Sequence, residues 1–109
     1  MQVDLVNQQV KDFININRDM KVNDIIFIDN LPTLDLHAYD RDSARVKINE
    51  FINDNVVMKN EFVCVIHGIG SGILKKEVYN TLEKNKYVED YKLFYNNTGC
   101  TIIKLKNNN

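Results

Sequence analysis

The sequence predicts a two-layer α/β sandwich, in which two helices pack on a mixed sheet of about four strands. Segments with strand and helix periodicity follow one another from Leu34 onward in the order β-α-β-α-β-β. A strand, helix and strand joined at this length imply parallel pairing with a right-handed crossover, and the closing hairpin implies an antiparallel addition. With 109 residues, the chain can build one such core and is too short for two domains of usual size.

An N-terminal segment is predicted to precede the sheet. Residues 4–16 are expected to form an amphipathic helix, because their apolar residues recur at helical spacing. Ile25–Ile28 form an apolar run between aspartates, which is typical of a short strand. Pro32 disfavours helix on both sides and marks the domain boundary. The expected divisions are a segment over residues 1–30, the main domain over 31–106 and a frayed tail over 107–109.

The first strand of the main domain is predicted from an alternation of apolar and polar residues. Leu34 and Leu36 alternate with Asp35 and His37. A period of two places the leucines on one face of the sheet and the polar pair on the other. We therefore expect the polar pair at the carboxyl end of this strand.

A helix is predicted to follow the first strand, capped at its N-terminus by Asp40. Arg41 and Arg45 fall on its first two turns. Its apolar residues have the i, i+4, i+7, i+8 spacing of a buried helix face and are Ala44, Ile48, Phe51 and Ile52. A polar connection over residues 54–61 is expected to lead to the central strand.

The central stretch of the chain is predicted to form a strand, a glycine loop and a helix. Phe62–Ile66 are five consecutive apolar residues, which is typical of a strand buried on both faces. Gly68, Gly70 and Gly72 then occupy every second position, where the backbone can take positive φ and approach a ligand. The first N–H groups of the helix have no partner within it, so the loop is a candidate seat for a phosphate. The apolar stripe of this helix comprises Ile73, Leu74, Val78 and Leu82, with Lys75, Lys76 and Glu77 beside it.

Two further strands are predicted near the C-terminus, over residues 88–95 and 101–105. The stretch between them, residues 96–99, has the composition of a hairpin turn. If both helices cover one face of the sheet, the other face also needs a cover. The N-terminal segment and a second copy of the chain are the two alternatives.

Composition limits the classes of function. The net charge of −1 argues against a protein that coats nucleic acid by bulk charge, so any cationic patch must be local. Cys64 and Cys100 form no CxxC pair, which favours core thiols in a reducing compartment. The two histidines lack the short ligand spacing of a zinc site, and no apolar run is long enough to span a membrane. We expect a soluble, cytoplasmic protein.

Four polar features are expected to converge on one edge of the sheet. Ligands of open α/β sheets gather outside the carboxyl ends of the parallel strands, where this chain places Asp35, His37, His67 and the loop with Lys75. An imidazole beside a carboxylate can act as a general acid or base, while backbone N–H groups and a lysine can hold a phosphate. Each of these residues also has a purely structural alternative. Asp35 could cap a turn or pair with an arginine, and each histidine could anchor the backbone through hydrogen bonds. The two lysines could form a solvated helix face. Tyr39 is the one aromatic residue that stays open for a base contact.

Three segments of the chain resemble the motifs of a known family. LDLHAYDRDSA is followed about thirty residues later by IHGIGSGILKKEV, and the domain closes with NTGCTIIKLK. This pattern resembles the Smr (small MutS-related) domain, whose motifs are LDLHG, HGxGTGxLR and a final glycine-turn strand, over Leu34–Lys106. The resemblance implies a fold like the C-terminal domain of a bacterial translation initiation factor. It also implies nucleic-acid binding and, as in several members, cleavage of DNA or RNA.

The resemblance assigns roles to individual residues. The expected catalytic residues are Asp35, His37 and His67. The expected phosphate contacts are Gly68, Gly70, Ser71, Gly72, Lys75, Lys76, Arg41 and Arg45. Three positions depart from the family pattern, with Ala38 for glycine, Ser71 for threonine and Lys75 for arginine. The lysine keeps the positive charge of the arginine but cannot bind a phosphate through two parallel N–H groups. These changes weaken the case for catalysis more than the case for binding.

The leading hypothesis is an endonuclease that binds DNA or RNA at this edge. Asp35 would orient His37, which would serve as general base or acid, and in RNA the 2′-OH could be the nucleophile. Hydrolysis and transesterification both stay open, and no metal ligands are assigned, with Mg²⁺ open as a cofactor. The alternatives are a non-catalytic nucleic-acid-binding module and a protein interaction module. A monomer or a weak homodimer is expected.

Overall fold

The described part of the chain folds into six elements in the predicted order. A computed structural model describes residues 21–22, 25, 30–94 and 97–106. The predicted helix over residues 4–16 and the predicted tail lie outside these residues. Neither helix in the described part of the chain has the length and apolar character that a membrane span needs. The elements are β1 (Thr33–Asp35), α1 (Arg41–Val57), β2 (Phe62–Ile66), α2 (Ile73–Lys84), β3 (Val88–Phe94) and β4 (Asn97–Leu105).

The four strands form one mixed sheet in the order β1-β2-β4-β3. β1 pairs with β2 in parallel, whereas β4 is antiparallel to both β2 and β3. Asp35 lies opposite Ile66 in the parallel pair, and Ile66 lies opposite Cys100 in the antiparallel pair. The predicted fold class is confirmed, and the carboxyl ends of β1 and β2 meet the first half of β4 at one edge.

The main core lies between the two helices and one face of the sheet. Both helices contribute to the same buried cluster, so they cover the same face. Val63 and Val65 of β2 point into this cluster, while Phe62 and Cys64 point to the opposite face, as the apolar run predicts. The buried members of the cluster are Leu36, Ala44, Ile48, Ile52, Val63, Val65, Val78, Leu82, Ile103 and Leu105.

A second, smaller cluster covers the other face of the sheet. Val22 and Ile25, from the predicted N-terminal segment, pack there against Phe62, Cys64, Phe94, Cys100 and Ile102. The N-terminal segment therefore supplies at least part of the cover that this face requires. Ile25 is not in a strand, and the rest of the predicted strand at residues 26–28 lies outside the described residues.

Both cysteines are buried in this second cluster. Neither forms a disulfide, which confirms the prediction of core thiols. Burial, with Cys100 nearby, raises the pKa of the Cys64 thiol to about 12. A thiol with this pKa is almost entirely protonated at neutral pH, so it acts as a small apolar group and not as a nucleophile.

α1 begins as predicted but ends later. The Asp40 carboxylate accepts a hydrogen bond from the Ser43 N–H at 2.8 Å, which confirms the predicted cap. The predicted connection from residue 54 is wrong, because the helix runs to Val57. Asn55 is buried, and its side-chain amide donates to the Phe51 carbonyl at 2.8 Å. This internal bond satisfies a buried polar group within the helix and lets the buried face continue for another turn.

α2 buries most of the predicted apolar stripe, but the buried face also includes polar residues that were placed beside it or not assigned to it. Val78 and Leu82 are buried as expected, but Ile73 is 58% exposed, so its place in the stripe is wrong. Glu77, predicted beside the stripe, is buried. Its carboxylate accepts a hydrogen bond from the Thr81 hydroxyl at 3.2 Å and faces two arginines of α1. The contact between the helices therefore rests partly on charge, which an apolar periodicity does not detect.

The C-terminal hairpin pairs as predicted, but its turn is displaced. β4 begins at Asn97, so most of the stretch predicted as turn, residues 97–99, belongs to the strand. The Gly99 carbonyl accepts hydrogen bonds from the N–H groups of His67 at 2.9 Å and Gly68 at 3.0 Å. These two bonds hold the start of β4 beside the end of β2, which explains why the strand extends through the glycine.

Candidate functional site

The parallel pairing of β1 and β2 creates the edge that carries the candidate site. The N–H of Leu36 donates to the Ile66 carbonyl at 2.8 Å, just beyond the end of β1. This bond fixes Asp35 opposite Ile66 and places His37 beside the start of the loop that His67 opens. The structure thus brings both predicted histidines to one edge of the sheet, outside the carboxyl ends of the parallel strands.

Asp35 and His37 form a hydrogen-bonded pair at this edge. The Nδ1 atom of His37 lies 2.8 Å from Oδ1 of Asp35, and the backbone N–H of His37 donates to the same oxygen at 3.0 Å. The backbone bond, followed by the side-chain bond, holds the pKa of the Asp35 carboxyl below its usual value. The carboxylate is therefore charged at neutral pH and accepts the Nδ1 proton, which leaves the lone pair of the neutral ring on Nε2.

The Nε2 atom of His37 faces solvent. The side chain is 78% exposed, and Nε2 has no hydrogen-bond partner among the residues that the structure describes. An imidazole whose Nδ1 proton is held by a carboxylate has the tautomer that a general base needs, with Nε2 available to a reacting group. Asp35 is half-exposed, so a phosphate group can approach the pair from solvent.

His67 has a different environment, because it is buried and both ring nitrogens are engaged. Its Nδ1 lies 2.9 Å from the Gly68 carbonyl, which can only accept, so Nδ1 carries a proton. Burial lowers the pKa of His67, and the neutral ring accepts a bond from the Thr101 hydroxyl on Nε2 at 2.8 Å. This geometry favours the alternative that His67 anchors the glycine loop. Its assignment as a catalytic residue stays a prediction.

The buried His67 makes the stability of the fold depend on pH. Its folded pKa lies below the usual 6.5, so the unfolded chain binds the proton more readily than the folded protein. We expect the contribution of His67 to be complete above about pH 6.5 and to be lost as the pH falls toward the lower folded pKa. Urea unfolding at about pH 7.5 and about pH 5.5 measures this loss.

A His67→Gln variant is the control for this pH dependence. Burial raises the pKa of Glu61, which contributes in the opposite direction, but it acts alike in both proteins. The difference between wild type and variant therefore isolates His67. Equal changes in the free energy of unfolding for the two proteins would contradict the role of His67.

The glycine loop is held in place by two left-handed residues and by β4. Gly68 has φ +82° and Gly72 has φ +83°, so both predicted positions use the freedom of glycine, whereas Gly70 does not. A Cβ added to Gly99 would lie 3.4 Å from the backbone of Gly68 and 3.2 Å from Oδ1 of Asn97. The backbone at Gly99 thus lies in contact with Gly68, and a larger residue there would press on the Asn97 side chain. The sequence pattern indicated Gly99 only as part of a turn.

The loop offers a row of unused backbone donors. In the described part of the chain, the N–H groups of residues 69–72 donate to no acceptor. The next N–H, that of Ile73, makes a long bond of 3.4 Å to the Ser71 hydroxyl. Consecutive free N–H groups at the start of a helix form a site that favours an anion. Of the predicted phosphate contacts in this loop, Gly70, Ser71 and Gly72 keep a free N–H, whereas the N–H of Gly68 is bonded to the Gly99 carbonyl.

Lys75 is the cation associated with this loop. Its side chain is half-buried, and its Nζ atom lies 5.8 Å from the centre of the Tyr79 ring. Its charge also contributes to the lowered pKa of His67, after burial of the ring. Lys76, by contrast, is exposed on the helix surface.

The two predicted arginines are partly neutralised by acidic neighbours. Arg41 Nε lies 3.9 Å from the Glu77 carboxylate, and Arg45 lies 4.0 Å from the same carboxylate and 3.3 Å from Asp42. Two positive and two negative side chains thus form one cluster beside a groove of about 240 Å³ between the helices. Tyr39, proposed for a base contact, is half-buried and packs against the main core.

The described residues contain no group of three or more His, Cys, Asp or Glu side chains placed to hold a metal ion. Asp40 already caps α1, and Asp42 pairs with Arg45. Asp35 is half-exposed and, like these two carboxylates, has one oxygen engaged, so it could reach a cation bridged to a substrate phosphate.

Comparison with known proteins gives one consistent result. The family model described as Smr domain matches residues 34–106. The chain is 36% identical over 78 residues to the Endonuclease MutS2 of Halothermothrix orenii, and 35% identical over 78 residues to that of Ligilactobacillus salivarius. Each match covers 69% of this chain and 10% of the relative. The chain thus spans about a tenth of the length of these curated relatives.

Two solved structures share the fold. The crystal structure of the Smr domain of Thermus thermophilus MutS2 superposes with a TM-score of 0.67 at 19% identity, covering 70% of this chain and 99% of that one. YdaL, a stand-alone small MutS-related protein from Escherichia coli, gives a TM-score of 0.65 at 20% identity, over 68% of this chain and 63% of that one. At these identities the likeness concerns the arrangement of helices and strands.

Proposed function

Because the chain belongs to the Smr domain family, we propose that it binds DNA or RNA at the edge carrying Asp35, His37 and the glycine loop, and cleaves the bound strand. The proposed reaction is cleavage of a phosphodiester bond within the strand. The curated relatives that match this region carry the name Endonuclease MutS2, which supports this class of reaction.

The observation that carries the proposal is the exposed Asp35–His37 pair. Cleavage requires removal of a proton from an attacking oxygen, and Nε2 of His37 has the free lone pair that accepts it. The Asp35 carboxylate holds the Nδ1 proton, so the ring keeps the required tautomer and the imidazolium formed in the reaction is stabilised. In RNA the attacking oxygen is the neighbouring 2′-OH, and in DNA it is water. As this oxygen bonds to phosphorus, the bond from phosphorus to a sugar oxygen breaks, and the leaving oxygen takes up a proton from the imidazolium or from solvent.

The glycine loop supplies the charge stabilisation in this proposal. The free N–H groups of residues 69–72 and the ammonium of Lys75 face the phosphate, on which negative charge accumulates during attack. His67 does not touch the substrate in this scheme. Its two hydrogen bonds, to Gly68 and Thr101, keep the loop in the orientation that presents these N–H groups.

Mg²⁺ fits the proposal as a substrate-bound ion. Mg²⁺ commonly binds through one carboxylate together with substrate phosphates, and the half-exposed Asp35 carboxylate could supply that ligand. Bound there, it would neutralise phosphate charge. Oδ1 of Asp35 already accepts the Nδ1 proton of His37. In this proposal the Mg²⁺ ion would therefore bind the other oxygen of the same carboxylate.

Incubation with supercoiled plasmid and with a structured RNA, in Mg²⁺ and in EDTA, tests the proposal. The matched control is a double variant, Asp35→Ala with His37→Ala, whose two side chains are exposed enough to leave the core intact. Nicking or cleavage by the wild type alone would support the proposal. Binding without cleavage would leave the non-catalytic binding module as the function, and equal traces of cleavage would point to a contaminant.

Lys75 provides a separate test of the binding half of the proposal. We expect Lys75→Ala to weaken nucleic-acid binding and to reduce the slope of log affinity against log salt by about 1, as removal of one phosphate contact does. Lys86→Ala is the control, because Lys86 precedes β3 at the opposite edge of the sheet. Fluorescence anisotropy over a range of salt concentrations gives both slopes, and equal slopes for Lys75→Ala and wild type would remove Lys75 from the interface.

A further inference from the structure

The glycine loop carries two exposed isoleucines that the proposed phosphate site does not explain. Ile69 is 73% exposed and Ile73 is 58% exposed. They lie on either side of the Gly70–Gly72 turn, at the edge that carries the Asp35–His37 pair. Two large apolar side chains beside a site for a charged phosphate would suit a ligand that also has an apolar surface.

The backbone around these isoleucines is constrained on both sides. Before Ile69, the N–H groups of His67 and Gly68 are bonded to the Gly99 carbonyl. After it, Gly72 takes the left-handed conformation that starts α2, and the Ile73 N–H is bonded to Ser71. Anchored in this way, the loop presents the two side chains to solvent in a defined place, so little ordering is needed when a ligand binds.

A nucleotide combines the two chemistries that this loop presents. Its phosphate matches the free N–H groups of residues 69–72 and the Lys75 ammonium, and the face of its base is apolar. Isoleucine side chains that pack against or between bases occur in proteins that unstack nucleic acid. In a paired and stacked duplex the faces of the bases are covered, so this contact costs unstacking there and is more favourable on an unpaired base.

We propose that Ile69 and Ile73 pack against the face of an unpaired base in the strand whose phosphate the glycine loop holds. This inference rests on the proposed function and adds a substrate preference to it. The chain then binds single-stranded or locally unpaired nucleic acid more tightly than a continuous duplex.

The size of the apolar surface favours a base over a protein partner. Ile69 and Ile73 are separated by two glycines and a serine, so the apolar surface consists of two side chains on a polar background. Protein interfaces need larger contiguous patches, of several hundred Å². Two side chains on a narrow loop are enough to cover one base.

The experiment compares the double variant Ile69→Ser, Ile73→Ser with a matched control. Val57→Ser with Met58→Ser removes two residues of similar exposure, 80% and 60%, at the carboxyl end of α1. This end leads back to the amino end of β2 and so lies at the opposite edge of the sheet. The probes are one labelled oligonucleotide as a single strand, the same strand annealed to its complement, and the same strand with abasic sites.

We expect the loop variant to bind the single strand about tenfold more weakly than wild type, with an unchanged salt slope and unchanged affinity for the duplex. The affinity of the wild type is expected to fall by a similar factor on the abasic strand. The control variant should bind all three probes with the affinity of the wild type. An equal loss on single strand and duplex, or no loss, would overturn the inference while leaving the proposed function intact. Loss of a concentration-dependent dimer in sedimentation would overturn it in favour of self-association. Absence of any wild-type binding would instead overturn the proposed function.

Discussion

Replacing His37 with alanine is expected to slow single-turnover cleavage by about 10²–10⁴-fold and to leave the affinity for nucleic acid nearly unchanged. The side chain is 78% exposed and contacts Asp35 through Nδ1, so its loss should not disturb the core. The phosphate contacts come from the loop and Lys75, which stay in place. The cleavage rate of this variant should therefore fall while its affinity for nucleic acid stays the same.

Single-turnover rates at saturating protein and anisotropy measurements on the same substrate give the two quantities. His37→Gln is the companion variant, because its amide can still donate to Asp35 but supplies no base. Both variants should cleave the substrate slowly and should bind it with the affinity of the wild type. A variant that cleaves as fast as wild type would remove His37 from the mechanism, and one that loses binding in proportion would assign His37 to the interface instead.

Replacing Leu36 with alanine is expected to lower the free energy of unfolding by about 2–5 kcal/mol. Leu36 is fully buried in the main core, although it lies between the exposed residues Asp35 and His37. Its removal leaves a cavity between the sheet and the helices. Its backbone N–H, bonded to the Ile66 carbonyl, also fixes the end of β1 beside β2.

Urea unfolding of Leu36→Ala and of Val46→Ala tests this expectation. Val46 lies on the outer face of α1 and is 55% exposed, so its truncation should change the free energy of unfolding by no more than about 0.5 kcal/mol. A loss below about 1 kcal/mol for Leu36→Ala would show that the core does not depend on this residue as its burial indicates.

The fold could be predicted where short-range patterns decide the structure. The alternation of Leu34 and Leu36 with polar residues, and the uninterrupted apolar run of β2, each report directly which faces are buried. The order of these segments then determines the mixed sheet. The predictions were wrong where a partner distant in sequence decides. Glu77 is buried because two arginines of α1, distant in sequence, reach its carboxylate. The predicted end of α1, by contrast, was wrong for a local reason, because the buried polar Asn55 is satisfied within the helix by the Phe51 carbonyl.

In the candidate site, too, local features were predictable and features that depend on distant residues were not. The pairing of Asp35 with His37 follows from their spacing on a strand end and was predictable. The environment of His67 was not, because Thr101, which bonds its Nε2, lies 34 positions away on β4. The hydrogen bonds from His67 and Gly68 to the Gly99 carbonyl likewise join residues distant in sequence, which a turn composition does not reveal.

Chemical rescue of His37→Ala by imidazole is the most direct test of the central claim, that the imidazole of His37 takes the proton during cleavage. The site is open to solvent, and the Asp35 carboxylate remains to orient an added imidazole. We predict that cleavage by the variant increases with imidazole concentration, and that pyrazole, which has a similar shape but is a weaker base, gives no recovery. Cleavage that does not respond to imidazole, in a variant that binds the substrate normally, would contradict the claim.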